Sequence, residues 1–230
     1  WSPGYPFGTD MLGRDVAAGV AHGARVSLLI GFVATAVAVI MGTALGAVAG
    51  YHGGWIDDLL MRFTEIFQTI PGFLLALLMV AIFGPSLYSI VGAISVISWP
   101  SVARLVRAEF LSLRTRDFVK AAVLGGQTDL RIVFRQILPN TLSPIVVAAS
   151  LMMATAILLE SAISFLGLGD RRLISWGFMI GAGRTTLLQS WWLSAIPGVA
   201  IFVTVLGLNL LGDALNHALS PRRRGVGGQQ

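Results

Sequence analysis

The chain has 230 residues, 55% of them hydrophobic and only 12% charged, with mean hydropathy +0.80 and a formal charge of +5. A soluble domain carries about a quarter charged residues, so half that share places this chain in the membrane class. It contains no cysteine, which excludes a disulfide framework, thiolate chemistry and a cysteine metal site.

In chain order, residues 1–24 come first. They lack the basic start and apolar core of a secretory signal. Uncharged runs then cover 26–56, 66–103, 136–159 and 185–212. A helix needs roughly 20 apolar residues to cross the hydrocarbon layer. The second run, at 38 residues, is too long for one span, and Gly84-Pro85 divides it at a natural turn. Five spans are predicted, near 26–50, 64–83, 86–108, 141–163 and 193–213. Spanning strands would show about ten residues of strict alternation, which is absent. The expected fold class is all-α, a polytopic membrane helical bundle forming one transmembrane domain over 1–230.

The first predicted span carries Ala34, Ala38, Gly42, Gly46 and Gly50, a small residue every four positions. Such a ridge favours close helix packing over a conduit wall. Pro71, Pro100, Pro144 and Pro197 lie within or beside spans, where neighbouring helices satisfy freed carbonyls. No internal repeat is visible, so inverted-repeat transporters find no support.

Between the third and fourth spans lies DFVKAAVLGGQTDLRIVFRQILPN, residues 117–140. Phe118 to Leu124 is a short helical candidate with a small face at Ala121 and Ala122. Gly125-Gly126 permits a sharp bend. From Asp129, the residues Leu130, Val133, Phe134, Ile137 and Leu138 follow the spacing of a one-sided helix, with Arg131 and Arg135 opposite. Pro139 is expected to close that helix. The two helices form an elbow, and its alternative is a helix lying on lipid. After the fourth span, residues 164–192 are too irregular to cross, and Trp176, Trp191 and Trp192 fit an interfacial belt.

Charge sets the orientation. One side holds Arg62, Arg104, Arg107, Arg114, Arg116, Lys120, Arg131, Arg135 and Arg222 to Arg224; the other holds Arg14, Arg25, Arg171, Arg172 and Arg184. Eleven against five makes 117–140 and the C-terminus cytoplasmic, with 1–24 and 164–192 extracytoplasmic. An extracytoplasmic start for a chain beginning at Trp1 suggests an earlier span preceding this sequence. The basicity therefore records topology, and no nucleic-acid partner is expected.

Enzymatic chemistry finds no foothold. The one lysine, Lys120, follows Val119, so no phosphate-cradling loop exists. His22, His52 and His217 are scattered without metal spacing, and His52 beside Asp57 and Asp58 reads as a solvated loop cluster. Glu65, Glu109, Glu160 and Asp213 fall near span ends, where hydration or pairing explains them.

Lys120-Ala121-Ala122, Gly126 and Ile137-Leu138-Pro139 resemble the EAA loop of bacterial ABC-importer permeases. The family's glutamate position holds Lys120, and its first isoleucine position holds Gln136. FGTDMLGRD (7–15), GARVSLLIG (23–31), GYHGGWIDDLLMR (50–62), RLVRAEFLSLRTRDFV (104–119), ESAISFLGLG (160–169), SWG (175–177) and LNLLGDALNHALSPR (208–222) are similar to the second permease subunit of the dipeptide, oligopeptide and nickel branch. Asp170-Arg171-Arg172-Leu173-Ile174 departs from the proline-containing linker frequent there.

The resemblance implies the type I importer fold in a bacterial or archaeal cytoplasmic membrane. It also implies a second permease subunit, two cytoplasmic ATPase subunits and an extracytoplasmic substrate-binding protein. ATP and magnesium would sit on the ATPases, leaving this chain with no cofactor, metal or catalytic residue. It makes Asp117, Phe118, Lys120, Ala121, Ala122, Gly126, Leu138 and Pro139 the ATPase-coupling loop. Phe118 and the Ala121–Ala122 face would meet the ATPase, while the Leu130–Leu138 face packs beneath the spans. Di- or oligopeptide import is the expected activity; nickel or metal-chelate import is the alternative within the family, and an ion-coupled secondary transporter the alternative outside it.

Overall fold

Asp15 starts the first helix by accepting the Ala17 N–H on its carboxylate at 2.9 Å, which satisfies one of the donors a helix start leaves free. Helix α1, Val16–His52, ends at Gly53, whose φ of 68° and ψ of −164° suit only glycine. The computed structural model describes residues 4–219. Residues 1–3 and the Arg222 to Arg224 cluster lie outside the described residues.

The small ridge of α1 seats α4, Leu87–Leu113. Ala34, Ala38, Gly42, Gly46 and Gly50 are all buried. A methyl group added at Gly42 would stand 2.5 Å from Val102 Cβ, and one at Gly50 would stand 2.6 Å from Phe110 Cβ. The packing expectation for the ridge holds. Pro100 lies inside α4 without ending it.

Between them, the second predicted span differs from a single straight helix. It is α2, Gly54–Thr69, and α3, Gly72–Phe83, bent by 80° at Ile70-Pro71. Proline disfavours helical backbone in the residue before it and lacks an N–H, so the bend falls there. Asp57 of α2 is clasped by Arg107 near one end of α4, while Val80 of α3 packs with Ile90 near the other. The pair therefore crosses the bundle as one broken span. Among the described residues, four helices are long and apolar enough to cross a membrane, or five with this pair.

The fourth span also differs. Helix α5, Asp117–Leu124, is followed by α6, Asp129–Ile132, which runs through a π-turn at Val133–Ile137 into α7, Leu138–Ile163. Pro139 does not close the helix. The π-turn passes the Leu138 N–H back to the Val133 carbonyl, and the Asn140 side chain donates to the Gln136 carbonyl at 2.6 Å. These bonds absorb the register slip that an interior proline forces.

A second π-turn, Ser164–Leu168, ends α7 at Gly167, with φ 88°. Helix α8, Trp176–Gly183, and α9, Trp192–Leu219, complete the chain, with α9 packed on α7 and α8. Trp176 is no interfacial residue: it is buried, its indole N–H donating to the Val20 carbonyl at 2.9 Å. Residues 10–20 and the 164–192 segment meet at one end of the bundle; the elbow lies at the other.

Candidate functional site: the elbow and its supports

Helix α4 ends at Leu113, and Arg114 holds that end to α1. Its Nη1 donates to the Tyr51 carbonyl at 3.1 Å and the Gly50 carbonyl at 3.4 Å. Arg116, in extended conformation, leads into α5. Asp117 in the first turn suits the positive end of the helix dipole. Its 3.5 Å contact with Lys120 lies on the surface and contributes little.

Val119 and Ala122, three residues apart, are the buried face of α5. They join Val106, Phe110, Ile132, Ile137 and Ile145 in one core cluster. The expected Ala121–Ala122 contact face is thereby split: Ala121 is exposed and Ala122 is buried. Phe118, Lys120, Val123 and Leu124 point outward, Leu124 at 89% exposure.

The bend itself is a Schellman motif. The Gly126 N–H bonds the Val123 carbonyl at 3.0 Å, and the Gln127 N–H bonds the Ala122 carbonyl at 3.1 Å. Gly126 takes φ 72°, the left-handed conformation that glycine adopts without penalty.

Beyond the bend, the Tyr51 hydroxyl donates to Asp129 Oδ1 at 2.6 Å, tying α6 to the end of α1. The face expected to pack beneath the spans is rotated. Of its residues, Ile137 is buried and Val133 and Leu138 half-buried as expected, but Leu130 and Phe134 are exposed and Ile132 is buried in their place. An extra residue per turn in the π-helix shifts the register that simple helical spacing assumes. Leu138 is half-buried and Pro139 exposed.

Two open grooves flank the elbow, one of Arg114, Val119, Lys120, Val123 and Leu124, the other of Thr128, Leu130, Arg131, Phe134 and Arg135. Exposed apolar knobs on a pinned frame suit a mechanical contact with another protein. Among the described residues, no group of histidine and acidic side chains has metal-binding geometry. Asp57, read from sequence as part of a solvated cluster with His52, is buried in α2 and ion-paired to Arg107.

At the opposite end, Glu160 lies in the last turn of α7, near a span end as expected, but it is buried rather than hydrated. Glu160 is 1% exposed. Its Oε1 accepts from Ser164 at 2.8 Å and Ser175 at 2.7 Å, and Ser27 and Ser161 also bond it. Glu160 thus joins α1, α7, the π-turn and the N-cap of α8. The E-S-x-x-S spacing of Glu160, Ser161 and Ser164 was a local signal for this; Ser27 and Ser175 gave none. Nearby, Asp170 accepts the Leu87 N–H at 3.3 Å and pairs with Arg172. The Arg172 guanidinium and N–H hold its carboxyl below the usual carboxylate range.

Residues 42–225 match the family described as binding-protein-dependent transport system inner membrane component. The chain is 44% identical to the dipeptide transport system permease protein DppC of Alkalihalophilus pseudofirmus, over 95% of this chain and 72% of that protein. It is 41% identical to the di/tripeptide permease DppC of Pseudomonas aeruginosa, over 94% and 71%. Identity to the oligopeptide permease OppC of Haemophilus influenzae is 40%, over 95% and 70%. Among solved structures, a chain of the MetNI methionine ABC transporter in inward facing conformations superposes with TM-score 0.72 at 20% identity, covering 88% of this chain and 97% of that one. That likeness establishes the fold. Its relatives are transport permeases rather than enzymes, and this multi-pass chain belongs to the binding-protein-dependent transport system inner membrane components, the permease subunits of ABC importers.

Proposed function

We propose that this chain forms half of the translocation pathway of an ATP-driven importer of di- and oligopeptides. The observation that carries the substrate class is identity of 40–44% to permeases named for dipeptides, di/tripeptides and oligopeptides, over 94–95% of the chain. The other half is a second permease subunit, and an extracytoplasmic binding protein delivers the peptide.

The elbow at 117–140 lies on the cytoplasmic side, in accord with the arginine and lysine asymmetry, and docks on one of two ATPase subunits, which carry ATP and magnesium. Phe118, Lys120, Ala121, Val123 and Leu124 are the contact surface. Asp117 starts its helix, Gly126 and the buried Ala122 fix its angle, and Leu138-Pro139 carry the motion into α7. ATP shifts the packing of the spans only through contacts that differ between nucleotide states. A surface clamped to both α1 and α4 conveys such a difference without dissipating it.

The test is uptake by the complete complex in proteoliposomes with its binding protein. A labelled dipeptide should accumulate only with ATP, and nickel should not. A cysteine at Ala121 should cross-link to the ATPase, whereas one at Ser2 should react only with impermeant reagent from outside. Accumulation of nickel but no peptide would replace the substrate assignment.

A further inference from the structure

The break between α2 and α3 lies at the middle of the spans. Gly72 faces Ile97: a methyl group added at Gly72 would stand 3.8 Å from Ile97 Cβ. Ile97 stands ten residues from Leu87, at one end of α4, and ten from Arg107, near the other. At 1.5 Å per residue that is about 15 Å from each, half the hydrocarbon thickness. A helix break leaves carbonyls of one helix and amides of the next without helical partners. No side chain caps α3. Thr69, Ile70 and Pro71 are exposed there. Irregular backbone at this depth is tolerated only against protein or a water-filled cavity.

Helix α2 agrees. Asp58, Arg62, Glu65 and Thr69 recur at helical spacing and are all exposed. That polar strip climbs from the Asp57–Arg107 pair, near the elbow end, to the level of Trp99, against which Phe63 and Phe67 pack. Charges on a span face water or protein, not lipid.

A groove of about 380 Å³ opens at the break, lined by Gly72, Phe73, Ser98, Ser101, Met152 and Thr155 among others. None of its lining residues is charged. The Ser101 and Thr155 hydroxyls donate to backbone carbonyls of their own helices, at 2.9 and 3.1 Å, which leaves their oxygens free to accept. The Ser98 hydroxyl has no partner among the described residues.

We propose that this mid-depth groove is a contact site for the main chain of the transported peptide, an inference that rests on the peptide-import reading. Uncharged hydroxyls offer acceptors to peptide N–H groups and a donor to peptide carbonyls, the features every peptide shares. With no charge in the lining, the groove does not select for side-chain charge, and Phe73 and Met152 supply an adaptable apolar wall.

The chain has no cysteine, so single cysteines at Ser98, Ser101 and Thr155 report on the groove directly. The whole transporter, its partners also freed of cysteine, is placed in proteoliposomes and treated with a cationic methanethiosulfonate. Ile40→Cys, on the exposed outer surface of α1, is the control. Thiolate forms in water and not in an apolar layer, so Ser101→Cys and Thr155→Cys should react about ten-fold or more faster than Ile40→Cys. Trialanine delivered with binding protein and ATP should slow that reaction. Rates as slow as the control at all three positions overturn the site, while uptake by the wild type leaves peptide import standing. Fast labelling that trialanine never slows overturns the peptide as occupant. Fast labelling in a complex that imports no peptide defeats the peptide-import reading, and the peptide occupant with it.

Discussion

Arg107 grips Asp57 with both arms of its guanidinium, Nε to Oδ1 at 2.5 Å and Nη2 to Oδ2 at 2.6 Å. The carboxylate is nearly buried and the pair is bidentate, the geometry in which Arg–carboxylate bonds are strongest. It fixes α2 against α4 on the approach to the mid-span break. Asp57→Asn keeps the size and loses the charge. It should lower the thermal midpoint of the detergent-solubilised complex, by a loss of about 1–3 kcal/mol. Asp57→Asn melting with the wild type would show the pair to be dispensable.

Gly126→Val should uncouple transport while leaving the spans assembled. A β-branched residue at φ 72° costs roughly 1–2 kcal/mol or more, and it opens the bend rather than the core. The subunit should reach the membrane at near-normal levels, with uptake lost and the ATPases either shed or turning over idly. Wild-type uptake with ATPases bound would remove the elbow from the coupling path.

Ala121 and Ala122 should separate two effects that adjacent positions usually confuse. Ala122 packs among Val106 and Phe110, so Ala122→Asp buries an unpaired carboxylate and should reduce the amount of folded subunit. Ala121→Asp lies on the exposed face and should leave folding intact while weakening ATPase association. Quantitative membrane blots alongside co-purification of the ATPase would expose any reversal of this order.

Glu160→Ala should destabilise more than Glu160→Gln. Alanine strands the buried Ser164 and Ser175 hydroxyls, at about 1–3 kcal/mol for a buried group without its partner. Glutamine retains one acceptor oxygen for them. A melting series showing Gln and Ala equally harmful would mean the negative charge, not the hydroxyl cluster, is what α8 needs.

Asp170 gives the loop at 169–175 a specific acid response. Its carboxyl is held below the ordinary range by Arg172, so the stabilisation is complete above the unfolded pKa of about 3.9. It is lost only as pH falls through the lower folded value. Hydrogen exchange at the Leu87 and Arg172 amides should therefore show constant protection from about pH 5 to 8. Asp170→Asn should lose protection across that whole range. Loosening of the wild-type loop near neutrality would contradict the pairing.

The elbow was legible because its signals are local: Gly125-Gly126 marks the bend, and Asp117 and Asp129 open its helices. What sequence spacing misjudged was rotation. The π-turn at Val133–Ile137 moves Leu130 and Phe134 outward and Ile132 inward, a shift that a 3.6-residue period does not contain. The start of α2 was hidden for another reason. Asp57, Asp58 and Arg62 argued against membrane depth, yet Asp57 is neutralised by Arg107, over a sequence distance no window spans. Glu160 repeats that lesson, since two of its hydroxyl partners come from Ser27 and Ser175.

The glycine seam has a consequence in time. Gly50 meets Phe110 some 60 residues later in the chain, which a ribosome adding 5–20 residues per second delivers about 3–12 s afterwards. Throughout that interval the flank of α1, shaped to admit a backbone and not a lipid tail, is without α4. The broken second span must enter the bilayer first and wait beside it, so the order of synthesis makes the most tightly joined pair of helices the one that is closed late.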